Sequence, residues 1–309
     1  VANDLLTVAD FVSDALDVDK TETTEVLNQS PFVASLPIGD TSDGSETHKY
    51  NKYTGAPTVG FRSENAGRDY DASEDTVVTV TCKILDFSWR VDYAVANAWR
   101  QGPENLIARE GARHLAAALW KLEKQVIYGT GALGDANGFD GFADSTYIDA
   151  LADGMVFGAG DATAASVTSC YAVRTGFDDV RLVTPYSRGV SLGETIVTEA
   201  NDTNHPVYYT PASLYIGVQL GGAYSVGRIC NIGASANGLD DDLISDVLSA
   251  FPANMGPNML VMNRPSLKQL QQSRTATNPT GAPAPFPQSS FNVPILVTDS
   301  VVSTEAVVV

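Results

Sequence analysis

Histidine and cysteine are scarce, three of each in a 309-residue chain. Cys82, Cys170 and Cys230 are far apart, odd in number and without any CxxC spacing. That pattern argues against a disulfide framework and against a tetrahedral zinc site, and predicts core or strand thiols in a reducing compartment. His48, His114 and His205 stand alone, without the HExxH spacing that places two ligands on one helical face. Charge is scarce at 18% of residues, against about 25% in an ordinary soluble domain. Positive charge is scarcer still: 19 Lys and Arg face 37 Asp and Glu, a net charge of −18. A nucleic-acid binder neutralises phosphates with a basic face, so this chain repels DNA on average. Plain solubility, a container wall that must not grip its contents, and a high-salt habitat all account for that balance. No apolar run is long enough to span a bilayer. The opening stretch VANDLLTVADFVSDAL lacks the basic and continuously apolar regions of a signal peptide, so none is expected.

What the sequence does contain is apolar residues, 44% of the chain, enough for one large core or two linked ones. With so few charges, burial is expected to finish against further copies of the chain. Residues 1–35 read as an arm with a short amphipathic helix (Leu5, Leu6, Val8, Phe11, Val12, Leu16), and Ser30-Pro31 reads as a break. Residues 40–75 are polar and turn-rich, a long extended loop with a two-stranded centre and a tip at Asn65-Ala66-Gly67. A lone hairpin is barely stable in water, so it needs a partner surface.

From residue 76 the alternation is clear: Val78, Val80, Cys82 and Ile84. It then slips by one residue to Leu85, Phe87, Trp89, Val91 and Tyr93, which predicts a bulge or bend in one long strand. Residues 103–128 predict a helix. Pro103 and Glu104 suit its first turn, Gly129 its stop, and Ala108, Ala112, Leu115, Leu119, Leu122 and Val126 form an apolar stripe. Gly111 inside the pattern weakens the first turns. Twenty-six residues make a rod of roughly 39 Å, a spine along an elongated subunit. Beyond it, residues 165–235 read as β-rich, with helices expected at Asp240–Phe251 and Pro265–Arg274 and strands at Met259–Met262 and Val293–Thr298.

Two motifs were weighed for chemistry. GVSLG (189–193) matches the nucleophile elbow around Ser191, but that motif needs a strand, a sharp turn and a helix, and only His205 follows it. GTGALG (129–134) matches a dinucleotide loop, but it follows a helix where the motif should follow a strand. No Walker loop occurs. No catalytic set, metal or cofactor is expected.

The order of arm, loop, phase-slipped strand, spine helix, β-rich region and closing helix and strands resembles the Hong Kong 97-type capsid fold, an α+β architecture. Particular stretches resemble the gp seven-type coat protein family of tailed phages. They are Glu25–Leu36, HKYNKYTGAPTVGFRSENAG (48–67), FSWRVDYAVANA (87–98) and KQVIYGTG (124–131), followed by NGFDGFAD (137–144), SCYAVRTG (169–176), VGRICNIG (226–233) and VMNRPSLKQLQQSR (261–274). The similarity runs over nearly the whole chain.

The resemblance implies a major capsid protein and not an enzyme. It implies self-assembly into hexamers and pentamers of an icosahedral shell in the host cytoplasm, around double-stranded DNA, with scaffold, portal and decoration proteins as partners and no membrane. It implies an N-terminal arm at 1–35, an E-loop at 36–75 lying over a neighbouring subunit, and a peripheral domain at 76–150. An axial domain follows at 151–257, and 258–309 returns to the peripheral domain and a tail. Tyr50, Tyr53, Phe61, Arg62 and Arg68 are then the expected inter-subunit contacts. Some members of the fold crosslink Lys to Asn; Lys49 and Lys52 lie in the loop without a matching partner, so no crosslink is expected. An encapsulin-like compartment shell shares the fold and stays open, as does a β-rich esterase using Ser191.

Overall fold

The computed structural model describes residues 30–67, 71–145, 148–163, 166–185, 190–199, 205–233, 237–278 and 282–309. The helix expected in the first 16 residues, the turn at 25–27 and Arg68 lie outside these.

The spine helix runs over Pro103–Tyr128, with Pro in its first turn. It ends because Gly129 adopts φ +55°, ψ −134°, a conformation almost reserved for glycine. A Cβ at Gly129 would fall 1.6 Å from Asp144 Oδ2. That same carboxylate accepts the backbone N–H of Thr130 (2.6 Å) and Gly141 (3.1 Å), closing the following loop against the helix end. GTGALG is therefore a helix stop. Gly111, a weak point by propensity, is required by packing: a Cβ there would sit 2.7 Å from Cζ2 of Trp89.

The helix serves two cores. Its C-terminal half buries Leu122, Val126, Ile127 and Tyr128 in the larger one. Leu106 in its first turn and Ala118 just past its middle pack against Phe87, Trp89, Val91 and Trp99 in the smaller one. The apolar stripe read from the sequence is thus only half right. Leu122 and Val126 are buried, but Ala108, Ala112 and Leu115 are exposed. The two tryptophans, arriving from preceding elements, select a different face over the first four turns.

The larger core lies on a six-stranded mixed sheet. Its order is Ser289–Ser290, Val293–Val297, Met259–Met262, Thr168–Val173, Val226–Ile232, Val156–Gly158. Thr168–Val173 and Val226–Ile232 are buried at every position, as central strands covered on both faces are. Helix Asp241–Ala250 packs on the second of these. Its N-cap Asp240 accepts the N–H of Leu243 at 2.9 Å. A further helix, Arg264–Ala276, is capped by Asn263. Cys170 and Cys230 lie in the central strands, and Cys82 is buried at the hairpin root. Burial pushes the Cys170 thiol up to about 12 and the Cys82 thiol up to about 11, so both remain unreactive packing residues.

The phase slip is a change of sheet. Glu74–Thr81 pairs with Thr47–Gly55 in the hairpin. Lys83–Asp86 pairs with residues 213–216. Trp89–Asp92 pairs with residues 207–210. The last two are one antiparallel ladder creased at Phe87-Ser88 opposite Pro211-Ala212. Proline has no N–H to offer there. The Ser88 hydroxyl bridges the gap, accepting from Ala212 N (3.0 Å) and donating to Asp86 Oδ1 (2.6 Å). Strands Ile38–Asp40, Arg181–Thr184 and Val190–Leu192 complete the sheet on one side of the crease, and Ile196–Glu199 the one on the other.

Pro31 starts a five-residue helix, Pro31–Ser35, where the sequence suggested a break. Proline disfavours helix only for the residue before it and within the interior; in the first turn it is at home. This helix is pinned to the spine. Glu123, fully buried, accepts the N–H of Phe32 (2.8 Å) and Val33 (3.0 Å) on Oε2, and the Thr298 hydroxyl on Oε1. A second buried carboxylate, Glu305, accepts from Tyr128 Oη (2.7 Å), Ser169 Oγ (2.5 Å) and Arg228 Nη2 (3.2 Å). Burial and the adjoining Glu305 push the Tyr128 hydroxyl far above its ordinary value, so it stays a donor. The same hydroxyl accepts from Val302 N at 2.8 Å. Residues 298–309, read as a tail, are in this way built into the larger core.

Candidate assembly surface

Side chains alternate along the hairpin, so His48, Tyr50 and Lys52 share one face with Val78 and Val80. At the root this face is turned onto the body. His48 is buried, and its ring is fixed at both nitrogens. Nδ1 accepts from Ser42 N (3.1 Å), so Nε2 carries the proton and donates to Gln219 Oε1 (2.8 Å). Arg181 donates from Nε to the same Gln219 oxygen (2.8 Å), and its Nη2 stands 3.2 Å from His48 Nε2. One ring further out, Tyr50 stacks on His48 at 5.7 Å and donates its hydroxyl to the Leu220 carbonyl.

Towards the tip the burial disappears. Tyr53 is 60% exposed, Val59 83%, and Phe61 is exposed without any shielding. Arg62 donates from Nη1 to Ala66 O (3.2 Å) across the tip turn, where Asn65 takes φ +59°. The five residues singled out from the sequence therefore divide. Tyr53, Phe61 and Arg62 stand on the outer hairpin, Tyr50 is engaged at the root by its own chain, and Arg68 is outside the described residues. His48, Gln219 and Arg181, which the sequence reading passed over, fix the hairpin to the body. The period-two alternation that places His48 beside Tyr50 was the available signal.

Burial holds the His48 pKa below its ordinary value, and the Arg181 charge adds to this. The Gln219 hydrogen bond and the Asp43 charge act the other way. A histidine with a depressed folded pKa contributes stability that is complete above the unfolded value of about 6.5 and lost as pH falls through the folded pKa. The thermal midpoint of unassembled subunits should therefore fall more steeply between pH 7 and pH 5 in the native chain than in His48→Gln. Parallel curves would mean the ring has no such role.

Two clefts lie where the hairpin meets the body. The wider, about 570 Å³, separates Val78–Lys83 and Tyr50 from the loop at 136–145. The smaller, about 120 Å³, lies between Lys83–Leu85 and the spine helix at Lys121, Leu122 and Gln125. Among the described residues no three His, Cys, Asp or Glu side chains converge as metal ligands. Ser191 lies within strand Val190–Leu192, paired to Ser213, and not on a strand-to-helix turn. The elbow that its motif requires is not formed there.

No curated protein matches the sequence. The structure is similar to a chain in the near-atomic structure of bacteriophage Epsilon15. The TM-score is 0.70 at 18% identity, over 100% of this chain and 98% of that one. It is also similar to the bacteriophage JBD30 capsid (TM-score 0.53, 12% identity, 93% and 97% of the two chains). The same capsid decorated with minor capsid protein trimers gives a TM-score of 0.51 at 13% identity, over 93% and 98% of the chains. The sequence model of the family described as major capsid protein GP7 matches residues 17–309. The chain thus belongs to the major capsid protein GP7 family, and its mixed helix and strand architecture is the Hong Kong 97-type fold of a shell-forming phage capsid protein.

Proposed function

We propose that this chain assembles into hexamers and pentamers of an icosahedral shell around double-stranded DNA, and that its hairpin is the E-loop lying over the next subunit. The observation that carries this is the gradient along the hairpin. Its root is tied to the body by His48, Gln219 and Arg181, while Tyr53, Val59 and Phe61 are held out in water. Exposed aromatics at the end of an otherwise unsupported two-stranded arm need a surface that one copy does not provide. Tyr53, Phe61 and Arg62, with Arg68 beside them in sequence, are the contacts. Tyr50 holds the root. Ordering such a segment on a neighbour couples local folding to assembly.

Strand pairing supports a division of the rest. The spine helix with strands 83–92 and 181–219 makes the peripheral domain, and the six-stranded sheet with its two helices makes the axial domain. That takes 181–219 out of the axial domain read from 151–257 and brings into it strands from 258–309, read as the return to the peripheral domain. Residues 1–35 are the arm. The role is structural, without catalysis. Assembly takes place in the host cytoplasm, where the three buried thiols stay reduced. Scaffold and portal proteins are partners, as are decoration proteins of the kind named for the JBD30 capsid. A net charge of −18 keeps the wall from gripping DNA.

Replacing residues 56–73 by a short Gly-Ser turn should leave soluble subunits that form no shells by negative-stain microscopy. Shells of normal size and number from that variant would overturn the role of the hairpin.

A further inference from the structure

Phe61 and Val59 are two residues apart in an extended stretch, and both are presented to solvent at the far end of the hairpin. At the near end the body has a matching defect. The smaller cleft, about 120 Å³, is lined by Leu85, Leu122, Phe139 and Ile216 together with the Lys121–Asp135 ion pair, Lys83, Gln125 and Asn137, and by Ile84, which is 59% exposed. Apolar cavities of roughly 150 Å³ accept a benzene ring, so an open-lipped hollow of this size suits the ring of a phenylalanine. Its lip is accessible because Lys83–Asp86 is the outermost strand of its sheet.

Within one chain the ring is in solvent and the hollow is open. The hairpin is paired from Thr47↔Thr81 to Gly55↔Glu74. At about 3.4 Å per residue the ladder carries Gly55 on the order of 27 Å from the root, and Phe61 lies six residues further along the chain. The hollow begins two residues from that root, at Lys83. A knob and a hole at different places on one subunit make a head-to-tail contact between copies, the kind that closes into a ring when the rotation between subunits allows.

We propose that Phe61 of one copy seats in the hollow between strand Lys83–Asp86 and the spine helix of the next copy, with Val59 against Ile84 at the lip. This rests on the shell reading above and specifies its acceptor. An aromatic anchor filling a preformed apolar pocket is the usual form of an energetic centre in an interface.

The test is a double variant, Val59→Cys with Ile84→Cys, assembled and then oxidised. The native cysteines are all buried. Denaturing gels should show a ladder in multiples of 32.7 kDa, absent from each single variant. If the double variant does not assemble, the two single variants mixed as a minority into native chains give the same readout as a covalent dimer. Shells of normal appearance that yield no bond in either format would overturn this contact while leaving the shell reading intact. Absence of any large particle from the native chain would overturn the shell reading, and this contact with it.

Discussion

Glu305→Ala should unfold unassembled subunits at a much lower urea concentration than the native chain. The expected loss is about 3–5 kcal/mol, the usual cost of removing one member of a buried ion pair. Arg228 is only 6% exposed, and its partners are Glu305, the Ser169 hydroxyl (3.1 Å), the Ile148 carbonyl (3.3 Å) and the face of Tyr171 (5.7 Å). Without the carboxylate the guanidinium is a buried charge with only dipoles around it. The Tyr128 and Ser169 hydroxyls lose their acceptor at the same time. The strand bridge that Glu305 makes to Val167 should loosen as well. Replacing both charges, Glu305→Leu with Arg228→Met, removes the orphan as well as the pair. That double variant should recover most of the loss. If it is as unstable as Glu305→Ala, the ion pair is stabilising in its own right and the desolvation argument fails.

The second large effect is at Glu123, and here the ranking of two substitutions carries the information. Glu123→Leu leaves the N–H groups of Phe32 and Val33 buried without an acceptor. Each orphan costs about 1–3 kcal/mol, so the midpoint should drop by several times what a surface change produces. Glu123→Gln keeps an oxygen for those two N–H groups and turns its amide towards the Thr298 hydroxyl, which can accept. It should cost less than about 1 kcal/mol on the same scale. No cation faces Glu123 among the contacts described, so its function is acceptor geometry. Equal destabilisation by Gln and Leu would show instead that the charge itself is what the site uses. Limited proteolysis should give the same order, because the segment at 31–35 is released when its acceptor goes.

These two carboxylates also mark what the sequence could not disclose. Glu123 and Glu305 look like any other acidic residue, and their partners lie far along the chain: residues 32, 33 and 298 for one, 128, 169 and 228 for the other. The spine helix was legible because its signals are local. Proline and glutamate at one end, glycine at the other and an apolar stripe between fixed its bounds as Pro103–Tyr128. Which face that stripe buries was not local. Trp89 and Trp99 decide it over the first four turns, and Gly111 is there to admit Trp89. The phase slip read between Ile84 and Leu85 signalled a broken strand, but the breaks lie on either side of it, at Cys82 and at Phe87-Ser88. What lies on either side of the crease depended on where residues 206–219 pair, more than a hundred positions later. On the candidate surface, the hairpin and its exposed outer residues followed from turn chemistry and strand formers. The engagement of Tyr50 did not, because its acceptor is the carbonyl of Leu220.

The crease at Ser88 and Pro211 has a mechanical consequence. Flexing a two-stranded ladder anywhere along its length stretches backbone hydrogen bonds, each worth about 1 kcal/mol. At the crease the ladder is joined by Phe87 N to Ala212 O (3.0 Å) and by a serine hydroxyl that can rotate. Small rotations there need no loss of strand pairing on either side. The crease, with Phe87 and Ala212 buried in the smaller core, is therefore where this ladder bends at least cost, while the spine helix, continuous through both cores, limits how far.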